Sequence, residues 1–331
     1  MADEIRIGIA LGSGAAKGWA HIGVLRGLQR LGMAPNVVAG CSIGAFVGAA
    51  YAAGKLDELQ QWVSHFSSWD VVGLMDLSWR RGGIIGGEKV FAAASAAIGI
   101  ERVAELQLPF VAVATDLYSG QEVWLEQGRL EDVVGASCAI PGLILPKRIG
   151  NRWLVDGAVV NPVPVSACRA LGADLVIAVD LHGDVRQHGA APVRLDASAV
   201  SASAGGDQGN GALFSPAADA AEANNSFSDL LLSGKQWVDK ITDSFNNDGA
   251  EQPNALAVMH QSMEILEQRH KRARMMGDPP EAVILPRVGD IVTMEFQRAD
   301  EAIAAGEAAV EKVAHLLEAE LERLRQAKHQ G

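Results

Sequence analysis

A serine between two glycines is the first candidate for chemistry in this sequence. Residues Gly40–Gly44 read Gly-Cys-Ser-Ile-Gly, a G-x-S-x-G motif centred on Ser42. The apolar run Val37–Ala39 leads into the motif, and Ala45–Ala50 leads out of it with a helical pattern. A strand, a tight turn and a helix in this order are typical of a nucleophile elbow, where the helix N-terminus favours developing negative charge. Ser42 is therefore the candidate nucleophile, and an ordinary strand–helix turn is the alternative.

A glycine-rich loop precedes this motif in the chain. Residues Gly12–Gly18 read Gly-Ser-Gly-Ala-Ala-Lys-Gly and follow the apolar run Ile5–Leu11, so their N–H groups can face an anion. A dinucleotide is disfavoured, because the spacing is G-x-G-x-x-x-G and the next strand carries no acid for a ribose. A P-loop is disfavoured because Lys17 comes before Gly18 instead of after a glycine. An acyl oxyanion beside Ser42 is the third candidate, and a purely structural turn is the alternative.

A serine nucleophile also needs a proton acceptor. Asp156 ends a short apolar strand and is followed by Gly157 and Ala158, although an Asp-Gly pair alone is usually only a turn. His182 follows Asp180 at a predicted strand end, so a serine–histidine–aspartate triad remains the alternative to a dyad.

The glycine-rich loop, the G-x-S-x-G motif and the later Asp-Gly-Ala together resemble the three signatures of the patatin-like phospholipases. The resemblance covers most of residues 5–181. The segments Ala20–Leu25, Ala136–Pro141 and Gly277–Pro280 are similar to the compact bacterial branch of the family. This resemblance implies a three-layer α/β/α sandwich with a mainly parallel central sheet. It also implies a Ser–Asp dyad that hydrolyses lipid esters without a catalytic histidine.

The resemblance also assigns roles to residues of this chain. Carried over, it makes Ser42 the nucleophile and Asp156 the base, and it implies an oxyanion hole formed by the backbone N–H groups of Ser13, Gly14 and Ala15. The sequence departs from the family at this loop, because Ser13 and Ala15 stand where glycines are usual. The Cβ of Ala15 can narrow the pocket. No cofactor and no metal are expected.

The expected function is a serine lipid acyl hydrolase of the phospholipase, lysophospholipase or esterase type. The substrate would be a phospholipid or another fatty-acyl ester, cleaved through an acyl-serine intermediate. Two alternatives remain open. One is an acyltransferase, although such chemistry normally shows a paired His and Arg that cannot be placed in this sequence. The other is a non-catalytic regulator of the same fold that binds a lipid or a protein.

Composition narrows the setting in which the protein works. The 331 residues carry a net charge of −12, which disfavours nucleic acid as a partner, and the basic cluster His270–Arg274 is interpreted as the solvated end of a helix. The N-terminal residues lack the pattern of a signal peptide, and no apolar segment is long enough to span a bilayer. Three cysteines, an odd number, suit a reducing compartment: Cys41, Cys138 and Cys168. A cytoplasmic protein is expected, with contact at the inner membrane surface and a homo-oligomer left open.

The pattern along the chain predicts one domain over residues 5–331, with its core at 5–181. Strands are predicted at Ile5–Leu11, Val37–Gly40, Pro109–Asp116, Asp174–Leu181 and Ala282–Leu285. Helices are predicted at Trp19–Leu31, Ala45–Ala53, Leu56–Phe66, Glu88–Ile98, Leu130–Cys138, Val165–Leu171, Ala255–Met275 and Ala299–Arg325. Helical and strand elements are thus expected over 227–331.

Three further segments attract an interpretation. A stretch of small and polar residues predicts a flexible insertion over about 183–226. Phe227–Phe245 has the spacing of an amphipathic helix, either a surface helix or one that contacts a membrane or a subunit. Trp79–Gly87 is interpreted as a mobile loop whose Arg80 and Arg81 meet lipid phosphate, or as an ordinary turn.

Overall fold

The structure is a computed structural model that describes residues 5–65, 99–183 and 255–330. Some sequence predictions fall outside these ranges. They are the insertion beyond Gly183, the amphipathic helix Phe227–Phe245, the helix Glu88–Ile98 and the loop Trp79–Gly87.

Strands and helices alternate through the first half of the chain. The strands are β1 (Ile7–Leu11), β2 (Val37–Cys41), β3 (Phe110–Asp116), β4 (Glu122–Leu125), β5 (Lys147–Ile149), β6 (Arg152–Asp156), β7 (Leu175–Val179) and β8 (Ala282–Ile284). The α-helices of the described residues are α1 (Ala20–Arg30), α2 (Ile43–Ala52), α3 (Leu56–Ser64), α4 (Leu130–Ser137), α5 (Val165–Ala170), α6 (Ala255–Gly277) and α7 (Ala299–Gln330). Short 3₁₀ turns include Ala15–Trp19 and Gly157–Val159.

The eight strands form one sheet that is parallel at its centre. Pairing runs β5-β6-β3-β2-β1-β7-β8, and β4 also pairs with β3. The pairs β1–β2, β2–β3, β1–β7 and β7–β8 are parallel, whereas β4, β5 and β6 pair antiparallel. The central strands are continuous apolar runs because both of their faces are buried, as is usual for parallel sheets.

Helices cover both faces of the sheet. On one face, Ile9, Leu11 and Val38 join a large apolar core with residues of α1, α2, α4 and α7. On the other face, alternate strand residues such as Ala10 and Ala39 pack against α5 and the adjoining chain. The result is a three-layer α/β/α arrangement, which confirms the predicted fold class.

Helix α7 is held tightly against the first of these layers. A Cβ added at Gly23 of α1 would lie 1.9 Å from the carbonyl oxygen of Ile303, and one added at Gly306 would lie 2.1 Å from that of Ala20. The backbones of α1 and α7 therefore touch where both helices carry glycine. Helix α7 is thereby packed directly against α1, in the same layer of the fold.

Sequence prediction located the apolar strands and missed the polar ones. Predicted bounds of the parallel strands differ from the observed bounds by one to two residues at an end. Strands β4 and β5 were not predicted, because they are only four and three residues long and are partly exposed. Antiparallel pairing at the sheet's margin requires no long apolar run. Among the described helices, none has the length and apolar character needed to cross a membrane.

Candidate active site

Ser42 sits in the strained turn that the G-x-S-x-G pattern predicts. Its backbone has φ 55° and ψ −126°, directly between the end of β2 and the start of α2. Side chains are excluded on both sides of the turn, because a Cβ on Gly44 would lie 2.1 Å from the carbonyl oxygen of Leu11 and one on Gly40 would lie 2.4 Å from Cα of Ala45. Glycine at these two positions lets the turn form with the serine at its apex.

A second serine, Ser137, is hydrogen-bonded to the elbow. The N–H group of Ser42 donates to Oγ of Ser137 at 2.9 Å, and this hydroxyl donates to the carbonyl oxygen of Val113 at 2.6 Å. Ser137 is fully buried at the end of α4. Sequence reasoning named it only as part of a family-like segment, and a lone serine in an apolar helix offers no stronger signal.

Asp156 reaches the elbow because of the way the strands pair. Val113 of β3 pairs with Cys41 on one edge and with Trp124 on the other. The next residue, Ala114, pairs with β4 and with Asp156 of β6. Strand β6 therefore takes the edge of β3 that β2 leaves as it turns at Ser42. This exchange of neighbours brings the end of β6 against the elbow.

The contact between the two side chains is direct. Oγ of Ser42 donates to Oδ2 of Asp156 at 2.6 Å, and the other carboxylate oxygen accepts from the N–H group of Ala158 at 2.8 Å. Ser42 is 4% exposed and Asp156 is 3% exposed. Gly157 allows the turn after the aspartate, because a Cβ there would lie 2.2 Å from the carbonyl oxygen of Val113.

Burial changes the acidity of this aspartate. Loss of solvent raises the pKa of Asp156 to about 6, and the hydrogen bonds from Ser42 and Ala158 offset part of that increase. A carboxyl group with a pKa near neutrality can both accept and return a proton at physiological pH.

Within the described residues, the histidine of the alternative triad, His182, is not hydrogen-bonded to Ser42 or Asp156, and neither is His21 of α1. Burial lowers the pKa of His182 well below its usual value, which favours the neutral ring. Nε2 of His21 donates to the carbonyl oxygen of Gly12 at 2.8 Å, so this ring supports the glycine-rich loop.

The glycine-rich loop passes close to the elbow, and the structure distinguishes among its N–H groups. The N–H of Ser13 donates to the carbonyl oxygen of Pro162 at 2.9 Å, which commits that donor to the backbone. In the described parts of the chain, no acceptor is found for the N–H groups of Gly14 and Ala15. Gly14 has φ 156° and Ala15 has φ 48°, a left-handed conformation that is strained for alanine. Of the three N–H groups predicted to form an oxyanion hole, those of Gly14 and Ala15 are therefore the two that can bind an anion.

The remaining loop residues serve packing or line the pocket. A Cβ at Gly12 would lie 2.7 Å from the carbonyl oxygen of Val179, and one at Gly18 would lie 2.2 Å from the side chain of Ile43. Lys17 is only 8% exposed and lines the same cavity as Ser42.

A cavity of about 160 Å³ opens onto these groups, and two kinds of wall enclose it. The wall formed by Ser42, Asp156 and Ala158, which we call the dyad wall, comes from the turns after β2 and β6. The opposite wall, which we call the helix wall, is one side of α6: His260, Met263, Glu264, Leu266 and Glu267. No group of three or more His, Cys, Asp or Glu side chains suited to a metal ion occurs in the described ranges.

Glu267 is a site residue that sequence reasoning missed. Its Oε1 accepts a short hydrogen bond from Oγ of Ser13. Burial raises the pKa of Glu267 to about 7, and the negative charge of nearby Asp156 contributes to this increase. One glutamate among several in a long helix carries no local signal, since only the packing of α6 brings it into the cavity.

The interpretation of His270–Arg274 as a solvated helix end was wrong for two of its cations. Nζ of Lys271 is buried and donates to Oδ1 of Asp180 at 2.7 Å. Arg274 pairs with Glu122 at 2.9 Å. These ion pairs attach α6 to the carboxyl edge of the sheet, so the basic cluster serves tertiary packing.

Part of the chain is similar to known proteins. Residues 9–169 match the family model described as patatin-like phospholipase. An uncharacterized NTE family protein of Mycobacterium tuberculosis is 41% identical over 178 residues, which cover 54% of this chain and 49% of that protein. The chain thus spans about half the length of these mycobacterial relatives.

More distant similarities extend to mammals and to a solved structure. Patatin-like phospholipase domain-containing protein 7 of Rattus norvegicus is 30% identical over 182 residues, covering 53% of this chain and 13% of that protein. VipD from Legionella pneumophila aligns over 96% of this chain and 67% of its own, with a TM-score of 0.46 and 12% identity. Residues 9–169 thus form a patatin-like phospholipase region of this chain, and the mycobacterial proteins are similar to about half of the chain.

Proposed function

We propose that this protein is a serine lipid acyl hydrolase that cleaves a phospholipid or another fatty-acyl ester. Ser42 is the nucleophile, Asp156 is the proton acceptor, and the N–H groups of Gly14 and Ala15 form the oxyanion hole. The observation that carries the proposal is the 2.6 Å hydrogen bond from Oγ of Ser42 to Oδ2 of Asp156 inside the cavity. The match of residues 9–169 to the patatin-like phospholipase model supports a lipid ester as the class of substrate.

In the first half of the reaction, Asp156 removes the proton of Oγ as this oxygen attacks the ester carbonyl carbon. The carbonyl oxygen becomes an oxyanion, which the two free N–H groups of the glycine-rich loop stabilise. Collapse of this intermediate breaks the bond to the alcohol, and Asp156 returns its proton to the leaving oxygen. The fatty acyl group is then bound to Ser42 as an ester.

In the second half, water replaces the alcohol. Asp156 accepts a proton from the water molecule as its oxygen attacks the acyl-serine. The second tetrahedral intermediate collapses, Oγ regains the proton, and the fatty acid leaves. An alcohol in place of water would give acyl transfer, so the acceptor decides between hydrolase and acyltransferase.

A fluorophosphonate probe tests the proposal, because it modifies only an activated serine. We expect labelling of the wild-type protein at Ser42 and none of Ser42→Ala. Ser64→Ala is the matched control, since Ser64 also donates to a carboxylate, Asp300, but lies on the surface between α3 and α7. Absence of labelling in the folded wild type would favour the non-catalytic alternative. A panel of phospholipids, lysophospholipids and neutral esters then identifies the preferred head group.

We extend the proposal to contact with a lipid surface. The outer side of α6 carries exposed apolar residues next to the cavity, with Val258 and Ile265 both at 48% exposure. Arg269 and Arg272 are exposed on the same helix, whereas its two acids, Glu264 and Glu267, line the cavity. An apolar and cationic face suits an anionic bilayer. We also propose that residues 5–331 form one domain and that the protein works in the cytoplasm.

Vesicle binding tests this contact separately from the chemistry. We expect a Val258→Asp and Ile265→Asp double variant to lose binding to anionic vesicles while it hydrolyses a water-soluble ester at the wild-type rate. Leu316→Asp is the matched control, since Leu316 is 56% exposed on α7. Equal vesicle binding by all of these proteins would contradict the membrane assignment of α6.

A further inference from the structure

The loop that is proposed to hold the oxyanion is in an unfavourable conformation. Ala15 has φ 48°, a value that costs free energy for any residue with a Cβ, and Gly14 precedes it with φ 156°. Strained backbone of this kind persists only where the surrounding structure holds it. The glycine-rich loop of this chain therefore requires anchors on either side of the strained pair.

On the side before Gly14, the anchors involve Ser13. Its N–H donates to the carbonyl oxygen of Pro162, and its hydroxyl donates to Oε1 of Glu267. This hydroxyl is present because residue 13 is serine, whereas glycine is usual at this position in the patatin-like family that the chain resembles. On the far side, the N–H of Ala16 donates to the carbonyl oxygen of Thr293 at 3.2 Å.

A buried ion pair close to Glu267 attaches helix α6 to the sheet. Lys271 lies one helical turn after Glu267 and is buried, and its Nζ donates to Oδ1 of Asp180 and to Oε1 of Gln268, both at 2.7 Å. Because β7 ends just before Asp180, this ion pair attaches the helix to the sheet edge. Movement of Glu267 relative to the glycine-rich loop is thereby restricted.

We propose that Glu267 is a positioning residue: through the hydroxyl of Ser13 it holds the Gly14–Ala15 turn in the conformation that keeps two N–H groups free beside Ser42. The effect of Glu267 on catalysis rests on the proposed function, whereas its effect on the conformation of the loop does not. Ser13 lies inside the segment 9–169 that matches the family model, whereas Glu267 lies outside it.

Several charged or titratable groups surround the carboxyl group of Glu267. The groups that act on Glu267 are Asp156 of the dyad wall, together with Glu264 and Lys271 of its own helix. Lys17, His182 and His260 line the same cavity. An amide in place of the carboxyl group would keep an acceptor oxygen for Ser13 and would remove a negative charge from the cavity.

Four variants test the proposal by two measurements. We expect Ser13→Ala and Glu267→Ala each to lower kcat on a water-soluble p-nitrophenyl ester about tenfold with KM nearly unchanged, because a displaced oxyanion donor weakens transition-state binding. The double variant should lose about tenfold as well, since both changes remove one interaction. Glu267→Gln should stay within about threefold of wild type, because its side-chain oxygen still accepts from Ser13.

The second measurement needs no activity. Hydrogen–deuterium exchange of the peptide covering residues 12–19 should become faster in Ser13→Ala, in Glu267→Ala and, to the same extent, in the double variant. Glu267→Gln should exchange like wild type. The matched control is the pair Ser64→Ala and Asp300→Ala, which removes a similar serine–carboxylate bond of 2.6 Å at the surface. It should change neither kcat nor exchange of this peptide.

The results separate failure of the proposed function from failure of this inference. If the wild type neither hydrolyses esters nor reacts with the fluorophosphonate, the proposed function fails, while the exchange data still decide whether Glu267 holds the loop. Unchanged exchange in Glu267→Ala would overturn the inference. Losses of kcat that multiply in the double variant, or a Glu267→Gln variant as slow as Glu267→Ala, would overturn it as well.

Discussion

The dyad wall and the helix wall face the same cavity but are built in different ways. The dyad wall consists of tight turns whose backbones leave no room for side chains, and its acid is held by Ser42 and Ala158. The helix wall is one face of α6, and it carries carboxyl and imidazole groups on flexible side chains. Glu267 contacts the opposite side of the cavity through Ser13.

The two walls therefore contribute to the site in different ways. Local sterics at Gly40, Gly44 and Gly157 position Ser42 and Asp156 with little dependence on distant residues. Charge and loop position are instead adjusted from α6, which depends on the ion pair between Lys271 and Asp180. Changes in the dyad wall should therefore abolish chemistry, whereas changes in the helix wall should alter its rate, its pH dependence or the stability of the fold.

The largest effect should come from the acid of the dyad wall. Asp156→Asn keeps the shape of the side chain but removes the proton acceptor, so kcat on a soluble ester should fall by roughly a thousandfold to ten-thousandfold. Glu267→Gln, the same change in the helix wall, should cost no more than about threefold. Steady-state kinetics of both variants check this contrast, and comparable losses in the two would remove the distinction between the walls.

The next effect concerns the attachment of the helix wall. Lys271→Ala would leave the carboxylate of Asp180 buried without its cation, so the free energy of unfolding should drop by about 3 kcal/mol or more. Urea denaturation followed by circular dichroism measures the change. Lys55→Ala, which removes an exposed ion pair with Glu58, should leave stability nearly unchanged. A similar stability for both variants would mean that α6 does not depend on the buried pair.

The turns of the dyad wall should resist even one added methyl group. Gly44→Ala places a Cβ 2.1 Å from the carbonyl oxygen of Leu11, and we expect a loss of about 2 kcal/mol in the free energy of unfolding. Gly277→Ala at the end of α6 meets nothing within 4 Å and should be tolerated. Chemical denaturation of both variants tests the prediction, which an equally stable Gly44→Ala would contradict.

The smallest effect is the pH dependence that the helix wall contributes to stability. Burial raises the pKa of Glu267 from 4.5 to about 7, so the folded protein binds this proton more tightly than the unfolded chain does. The associated stability is fully present below about pH 4.5 and is lost as the pH rises through 7. Relative to Glu267→Gln, the wild type should therefore lose stability as the pH rises over this range.

Urea unfolding at a series of pH values measures that difference. Asp156 acts in the same direction, because its pKa is raised from 3.8 to about 6, and it should leave a residual loss between about pH 4 and 6 in Glu267→Gln. Glu320→Gln is the control, since Arg323 lowers the pKa of this partly exposed glutamate and the opposite, weak trend is expected. A wild type and Glu267→Gln with parallel pH profiles would show that the carboxyl group is not buried in solution.

Sequence reasoning was most successful where local sterics dominate. The elbow at Ser42, the apolar parallel strands and the turn after Asp156 each follow from a short local pattern of small or apolar residues. It was least successful at polar and long-range features. Strands β4 and β5 lack apolar runs, Ser137 is one serine in a helix, and the role of Lys271 depends on a partner 91 residues away.

By itself, the sequence determined the α/β class, the family resemblance and the identity of two residues that meet as a hydrogen-bonded pair. It could do so because small residues at a strand–helix turn leave the backbone few alternatives. Only the tertiary structure decided that β6 takes the place of β2 beside β3, that the N–H of Ser13 is already engaged, and that Glu267 enters the cavity. These features depend on which strand edges and helix faces meet, and such contacts arise between segments whose own sequences do not encode their partners.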